Sequence, residues 1–167
     1  MATYQKIVVP LDGSGWSERA VSYATKIALE NDAELILLHV YHSPLAEYAD
    51  TLALSNQGEM VNNERDEIKR YLIAIRNDLR SQGVKVRGHI INGRDPAYNI
   101  INYVRGEGAD LVVMSSHGRT GLAKFFFGSV ASKVMQGLDV PVLLVHPDKP
   151  DEIAEDTSDL GTGEDIA

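Results

Sequence analysis

The chain alternates between short apolar runs and longer stretches in which apolar residues recur every three or four positions. Five runs stand out: KIVVPL at 6–11, ELILLHV at 34–40, VKVRGHII at 84–91, DLVVMSS at 110–116 and PVLLVH at 141–146. Most are nearly continuous in apolar character, which predicts strands covered by helices on both faces of a parallel sheet. Only VKVRGHII keeps a partial alternation. Between the first two runs, Ala20, Ala24, Ile27 and Ala28 fall on one helical face, with Ser17 placed as an N-cap. Ile68, Leu72, Ile75 and Leu79 mark a second helix that should stop near Ser81-Gln82-Gly83. Asp95-Pro96, a cap followed by proline at the first helical position, opens a third with Ile100, Ile101 and Val104 on its apolar side. A fourth covers about 128–135.

This βαβαβαβαβ order places the chain in the α/β class, as an open, doubly wound five-stranded parallel sheet of Rossmann-like type. The preferred strand order is 3-2-1-4-5. Such a sheet reverses its winding between strands one and four, and ligands bind outside the C-terminal strand ends at that crevice. The loops PLDGSG and MSSHG, remote in sequence, then become neighbours. The piece SPLAEYADTLALSNQGEM at 43–60 exceeds an ordinary connection. It reads as an exposed flap near the mouth, with a short helix in its first half and a turn at Asn56-Gln57-Gly58.

Composition sharpens the boundaries. The formal charge is −8, but from Pro147 onward eight acidic residues face one lysine, leaving 16 acidic and 15 basic residues before it. The expected organisation is a domain over 1–146 and an acidic, mobile tail over 147–167. The balance offers no basic stretch for nucleic acid. No window is apolar enough to span a bilayer. With no cysteine, disulfides and thiolate chemistry are excluded. The opening MATYQKIVVPLD lacks the features of a secretory signal, and the expected location is cytoplasmic.

The candidate chemistry is sparse. Asp12-Gly13-Ser14-Gly15 suggests a dinucleotide fingerprint, yet Glu18 stands where the third glycine belongs, and no Walker lysine motif occurs. Asp12, just beyond a strand, suits either a ligand contact or an Asx-turn. Ser116 and His117 lack the nucleophile elbow, since Met114 replaces its first glycine. His39 and His42 have no third ligand, so no metal site is expected. Gly118 and Gly128 are separated by nine residues, and Ser129 follows at a helix start whose N–H groups, with the serine as a cap, suit phosphate. The alternative is a helix cap between two structural turns. Phe125, Phe126 and Phe127 are expected to pack the core or a subunit contact, and Trp16 to lie at the core edge or the mouth.

KIVVPLDGS, SSHGRTGLAKFFFGSVASKVM and DVPVLLVH together resemble the universal stress protein family, in its ATP-binding branch, over residues 4–146. The branch pattern is G-x-x-G-x9-G-[ST]; Gly118, Gly128 and Ser129 match it, and Ser115 replaces the first glycine. The resemblance implies Pro10 and Asp12 near ribose and adenine and Val40 at the base. It places Ser115 and Gly118 at ribose and phosphate, and Gly128, Ser129 and Val130 around the phosphates. It further implies ATP or AMP as ligand, with Mg²⁺ entering through the phosphates. A homodimer would join through strand five, at 141–145. The expected function is a nucleotide-dependent stress or regulatory module with an unidentified protein partner and no assigned catalytic residue. A slow Mg-dependent ATPase or phosphotransferase and a nucleotide-independent dimeric scaffold stay open as alternatives.

Overall fold

The computed structural model describes residues 3–42, 56–116 and 127–146. Five strands, β1 (Lys6–Leu11), β2 (Glu34–Tyr41), β3 (Lys85–Asn92), β4 (Leu111–Ser115) and β5 (Val142–Val145), form one parallel sheet in the order 3-2-1-4-5. Among the described residues, four helices connect them: α1 (Gly15–Asn31), α2 (Asn56–Ser81), α3 (Pro96–Glu107) and α4 (Ser129–Gly137). The expected class and strand order are both observed.

The continuous apolar runs have a direct cause. Side chains alternate across a strand, and here both faces are covered. Ile7, Val9, Leu35 and Leu37 point into one core with Ala20, Ala24 and Ala28 of α1 and Leu72 and Leu79 of α2. Val8, Ile36, Leu38 and Val112 point into a second core against Ile100 and Val104 of α3 and Val134 of α4. Leu35, Ile36, Leu37 and Leu38 have no exposed surface at all. Each contributes about 1.5–3 kcal/mol of burial free energy.

The helix boundaries correct three expectations. Ser14, not Ser17, caps α1: its side chain accepts from the Ser17 amide at 3.2 Å. Gly13, at φ 81°, turns the chain one residue earlier, in a conformation costly for any other residue, and this brings Ser14 to the cap position. Ser17 is buried in the first turn, its Oγ donating to the Ser14 carbonyl at 2.9 Å. Asn56-Gln57-Gly58 is the first turn of α2 rather than a loop. One helical glycine costs only about 1 kcal/mol, which a helix of 26 residues with Ile68, Leu72, Ile75 and Leu79 on one packed face absorbs. At α4 the N-cap is Gly128, and Ser129 is the first helical residue, with no side-chain cap bond. The Asp95-Pro96 start of α3 is as expected, the Asp95 carboxylate accepting from the Tyr98 amide at 3.1 Å. Of the flap expected over 43–60, residues 43–55 lie outside the described residues, as does the acidic tail.

The N-terminal strand ends are tied by polar contacts. Arg87 of β3 donates to Glu34 of β2 at 3.1 Å, to Glu107 of α3 at 2.6 Å and to the Tyr103 hydroxyl at 3.0 Å. Lys6 of β1 donates to the Glu107 carbonyl at 2.9 Å, and Asp110 accepts from the amides of Gln5 and Lys6. The two sheet edges differ. β3 presents Lys85, Arg87 and His89, whereas β5 presents Leu143, 37% exposed, between the half-buried Val142 and Leu144. Unlike β3, β5 lacks charged residues to discourage pairing.

Candidate functional site

At the opposite end, the strands terminate around a cavity of about 270 Å³. Its walls follow from the winding. β1 and β4 are adjacent in the sheet, but α1 leaves β1 toward one face while α4 lies on the other, so a crevice opens between them. Pro10, Leu11 and Asp12 enter from β1 and its loop, and Leu38 and Val40 from β2. Met114, Ser115 and Ser116 enter from the end of β4, and Gly128, Ser129, Val130 and Ala131 from the start of α4.

Seven residues singled out from the sequence, Pro10, Asp12, Val40, Ser115, Gly128, Ser129 and Val130, thus share one cavity. Gly118 lies outside the described residues, as do His117, Phe125 and Phe126. Ser115, the last residue of β4, is buried and pairs with Val145. The cavity persists with that side chain in its wall. Trp16 is 39% exposed, with the Arg19 guanidinium 5.5 Å from its ring centre, and does not line the cavity. Phe127 is exposed as well, its ring 5.8 Å from that of His146.

The polar groups are held by local chemistry. One oxygen of Asp12 accepts from the Ser14 amide at 2.9 Å and from its hydroxyl at 2.6 Å, while the Asp12 amide donates to Ser17 Oγ at 3.3 Å. The Asx-turn reading of Asp12 therefore holds, and the same turn aims the residue at the cavity. Behind it, burial raises the Tyr71 phenol above its ordinary range, reinforced by the Glu18 carboxylate and, more weakly, by Asp12. At the mouth, Asp95 lies 3.5 Å from Lys133 of α4. The Tyr98 amide, assisted by Lys133, holds the Asp95 carboxyl below its ordinary range.

The α4 side is the electropositive end of a helix. The Gly128 amide is used by the Ser116 carbonyl at 2.8 Å, and the Ser132 amide closes the first turn on Gly128 at 2.9 Å. The amides of Ser129, Val130 and Ala131 belong to the turn that intrahelical bonding leaves unpaired, and all three residues line the cavity. Among the described residues the lining holds one carboxylate, Asp12, and no lysine or arginine. No group of three or more metal-ligating side chains occurs among them. No described helix is long and apolar enough to cross a membrane.

Sequence reasoning missed Pro96 and Ile100 of α3, which close the cavity from the third helix. The Asp95-Pro96 signal located the helix start but not the wall it builds. Sequence reasoning also gave no sign that Ser116 Oγ lies 3.1 Å from His146 Nδ1, thirty residues away.

Comparison with known proteins agrees with this geometry. The family model described as the universal stress protein family matches residues 3–146. The universal stress protein MJ0531 of Methanocaldococcus jannaschii is 34% identical over 148 residues, covering 87% of this chain and 84% of that protein. The solved structure of MJ0577, a universal stress protein of the same organism, superposes with a TM-score of 0.76 at 30% identity, covering 89% of this chain and all of that one. A universal stress protein solved in complex with cAMP superposes with a TM-score of 0.63 at 26% identity, over 87% of this chain and 98% of that one.

Proposed function

The chain belongs to the universal stress protein family, and from that premise we propose that it binds an adenine nucleotide, ATP or AMP, as a homodimeric, nucleotide-dependent interaction module. The observation that carries this reading is the convergence of seven residues from four separate segments on one 270 Å³ cavity at the reversal of the sheet. The volume lies near the lower end of ordinary small-molecule sites, about 300–1,000 Å³. It suits a nucleoside, with the phosphates directed along the start of α4 toward the open mouth.

The donor set fits such a ligand. Val40, Leu38, Met114, Ile100 and Pro10 offer an apolar slot for a flat base, and Asp12 is the acceptor at its edge. The first turn of α4 supplies backbone N–H groups and a positive dipole end to phosphate without a lysine. Gly118 would complete the phosphate side. Mg²⁺ would enter bound to the phosphates. The cAMP complex of a 26% identical relative supports the adenine-nucleotide class. The apolar β5 edge at 141–145 supports the dimer seam, because an unpaired strand of that composition invites a second copy.

Thermal unfolding of the full chain against nucleotide concentration tests the reading. A ligand that binds only the folded state raises the midpoint with the logarithm of its concentration. ATP and AMP should both do so, and inorganic triphosphate far less. Midpoints insensitive to millimolar ATP and AMP would refute it.

A further inference from the structure

We propose that His146 is the positioning residue for the α4 rim of the cavity, acting through Ser116 and linking that rim to the edge strand β5. Ser116 is a junction. It has no exposed surface, its amide donates to the Val145 carbonyl at 3.0 Å, and its carbonyl accepts from the Gly128 amide at 2.8 Å. Its hydroxyl meets His146 Nδ1 at 3.1 Å. The His146 ring also packs against Phe127, the residue before Gly128. One imidazole, set directly after β5, therefore touches the residues on either side of segment 117–126.

The consequence follows from what these contacts hold. Gly128 caps α4, and the amides that follow it line the cavity. Its place relative to β4 is fixed by the Ser116 carbonyl, and the place of Ser116 is fixed in turn by β5 and the His146 ring. A buried hydroxyl that loses a hydrogen bond drives local rearrangement, because it cannot recover that bond from water. Preorganised donors bind an anion better than donors that must be ordered first. His146 thus governs the phosphate end more than the base slot, which is built from β1, β2 and α3 with Met114 of β4. Since His146 extends β5, anything that pairs with that edge acts on the phosphate end through the same ring.

The phosphate part of this inference rests on the nucleotide reading, so the test separates the two. ATP and adenosine are titrated into the full chain and into His146→Ala, His146→Asn and Ser116→Ala, and amide exchange at Gly128 is followed without ligand. His146→Ala should weaken ATP about five- to tenfold, as for one lost buried hydrogen bond, and leave adenosine within about twofold. His146→Asn, whose Oδ1 stands close to where Nδ1 stood, should recover most of the loss. Ser116→Ala should also weaken ATP more than adenosine, and the double variant should lose less than the sum of the two, because both remove the Ser116–His146 contact. Gly128 exchange should quicken in His146→Ala. Unchanged ATP affinity, or equal weakening of ATP and adenosine, would overturn the proposal. If the wild type binds neither ligand, the nucleotide reading falls, and Gly128 exchange decides alone: acceleration sustains the positioning role, and no change ends it.

Discussion

Arg87→Met separates the stabilising end of the sheet from the binding end. The substitution keeps the aliphatic stem and removes a guanidinium that bonds Glu34, Glu107 and Tyr103 at 3.1, 2.6 and 3.0 Å. Two of these bonds are ion pairs, and buried versions would each be worth about 1.5–3 kcal/mol. The Arg87 side chain is 34% exposed and its carboxylate partners are similarly wet, so solvent screening cuts the total to about 1–2 kcal/mol. Glu107 also keeps Lys6 at 3.6 Å. For a chain of this size the loss corresponds to about 2–8 °C in melting temperature. Burial works against ionisation of Glu107, but the hydrogen bond and charge of Arg87 outweigh it and hold the carboxyl below its ordinary 4.5. A depressed folded-state pKa gives stability that is full above the unfolded value and lost as pH falls through the folded one. The gap between wild type and variant should thus be widest near neutrality and shrink below about pH 4.5. Denaturant titrations at several pH values read it, and ATP affinity should not change. A gap independent of pH, or a variant that loses ATP binding, would refute the division.

Other perturbations probe other parts of the structure. Leu37→Ala, at a fully buried position, should cost about 2–5 kcal/mol in a denaturant titration. Leu143→Asp places a charge on the apolar edge strand and should shift the mass measured by light scattering from dimer to monomer. Because burial and Glu18 raise the Tyr71 phenol, the folded state keeps a proton that the unfolded chain releases. Wild-type stability should then fall as pH rises above about 10, and Tyr71→Phe should lack that share of the fall in alkaline denaturation curves. Asp12→Asn, which retains the oxygen that accepts from Ser14, should unfold like the wild type yet weaken ATP about tenfold, measured by titration, through the lost charge-assisted acceptor.

Much of the fold was legible because covered parallel strands write themselves as unbroken apolar runs. IVV in β1 and LILL in β2 serve two cores at once, so both faces of each strand need apolar side chains. Asp95-Pro96 was equally readable, since its cap acts within four residues. Ser14 and Ser17 were not separable, because a turn at positive φ, and not serine chemistry, decides which one caps α1. Asn56-Gln57-Gly58 misled because turn propensity is local, while α2 is held by side chains ten to twenty residues further on. The cavity was half visible. Asp12, Ser115 and Gly128 lie at element ends with recognisable composition, whereas Pro96, Ile100 and the Ser116–His146 pair depend on crossovers that bring distant segments together.

Equilibrium dialysis of the full chain against labelled ATP tests nucleotide binding most directly. The structure and the family lead us to expect saturable binding at one ATP per chain, displaced by AMP. Folded protein that retains neither nucleotide above the free concentration would contradict it.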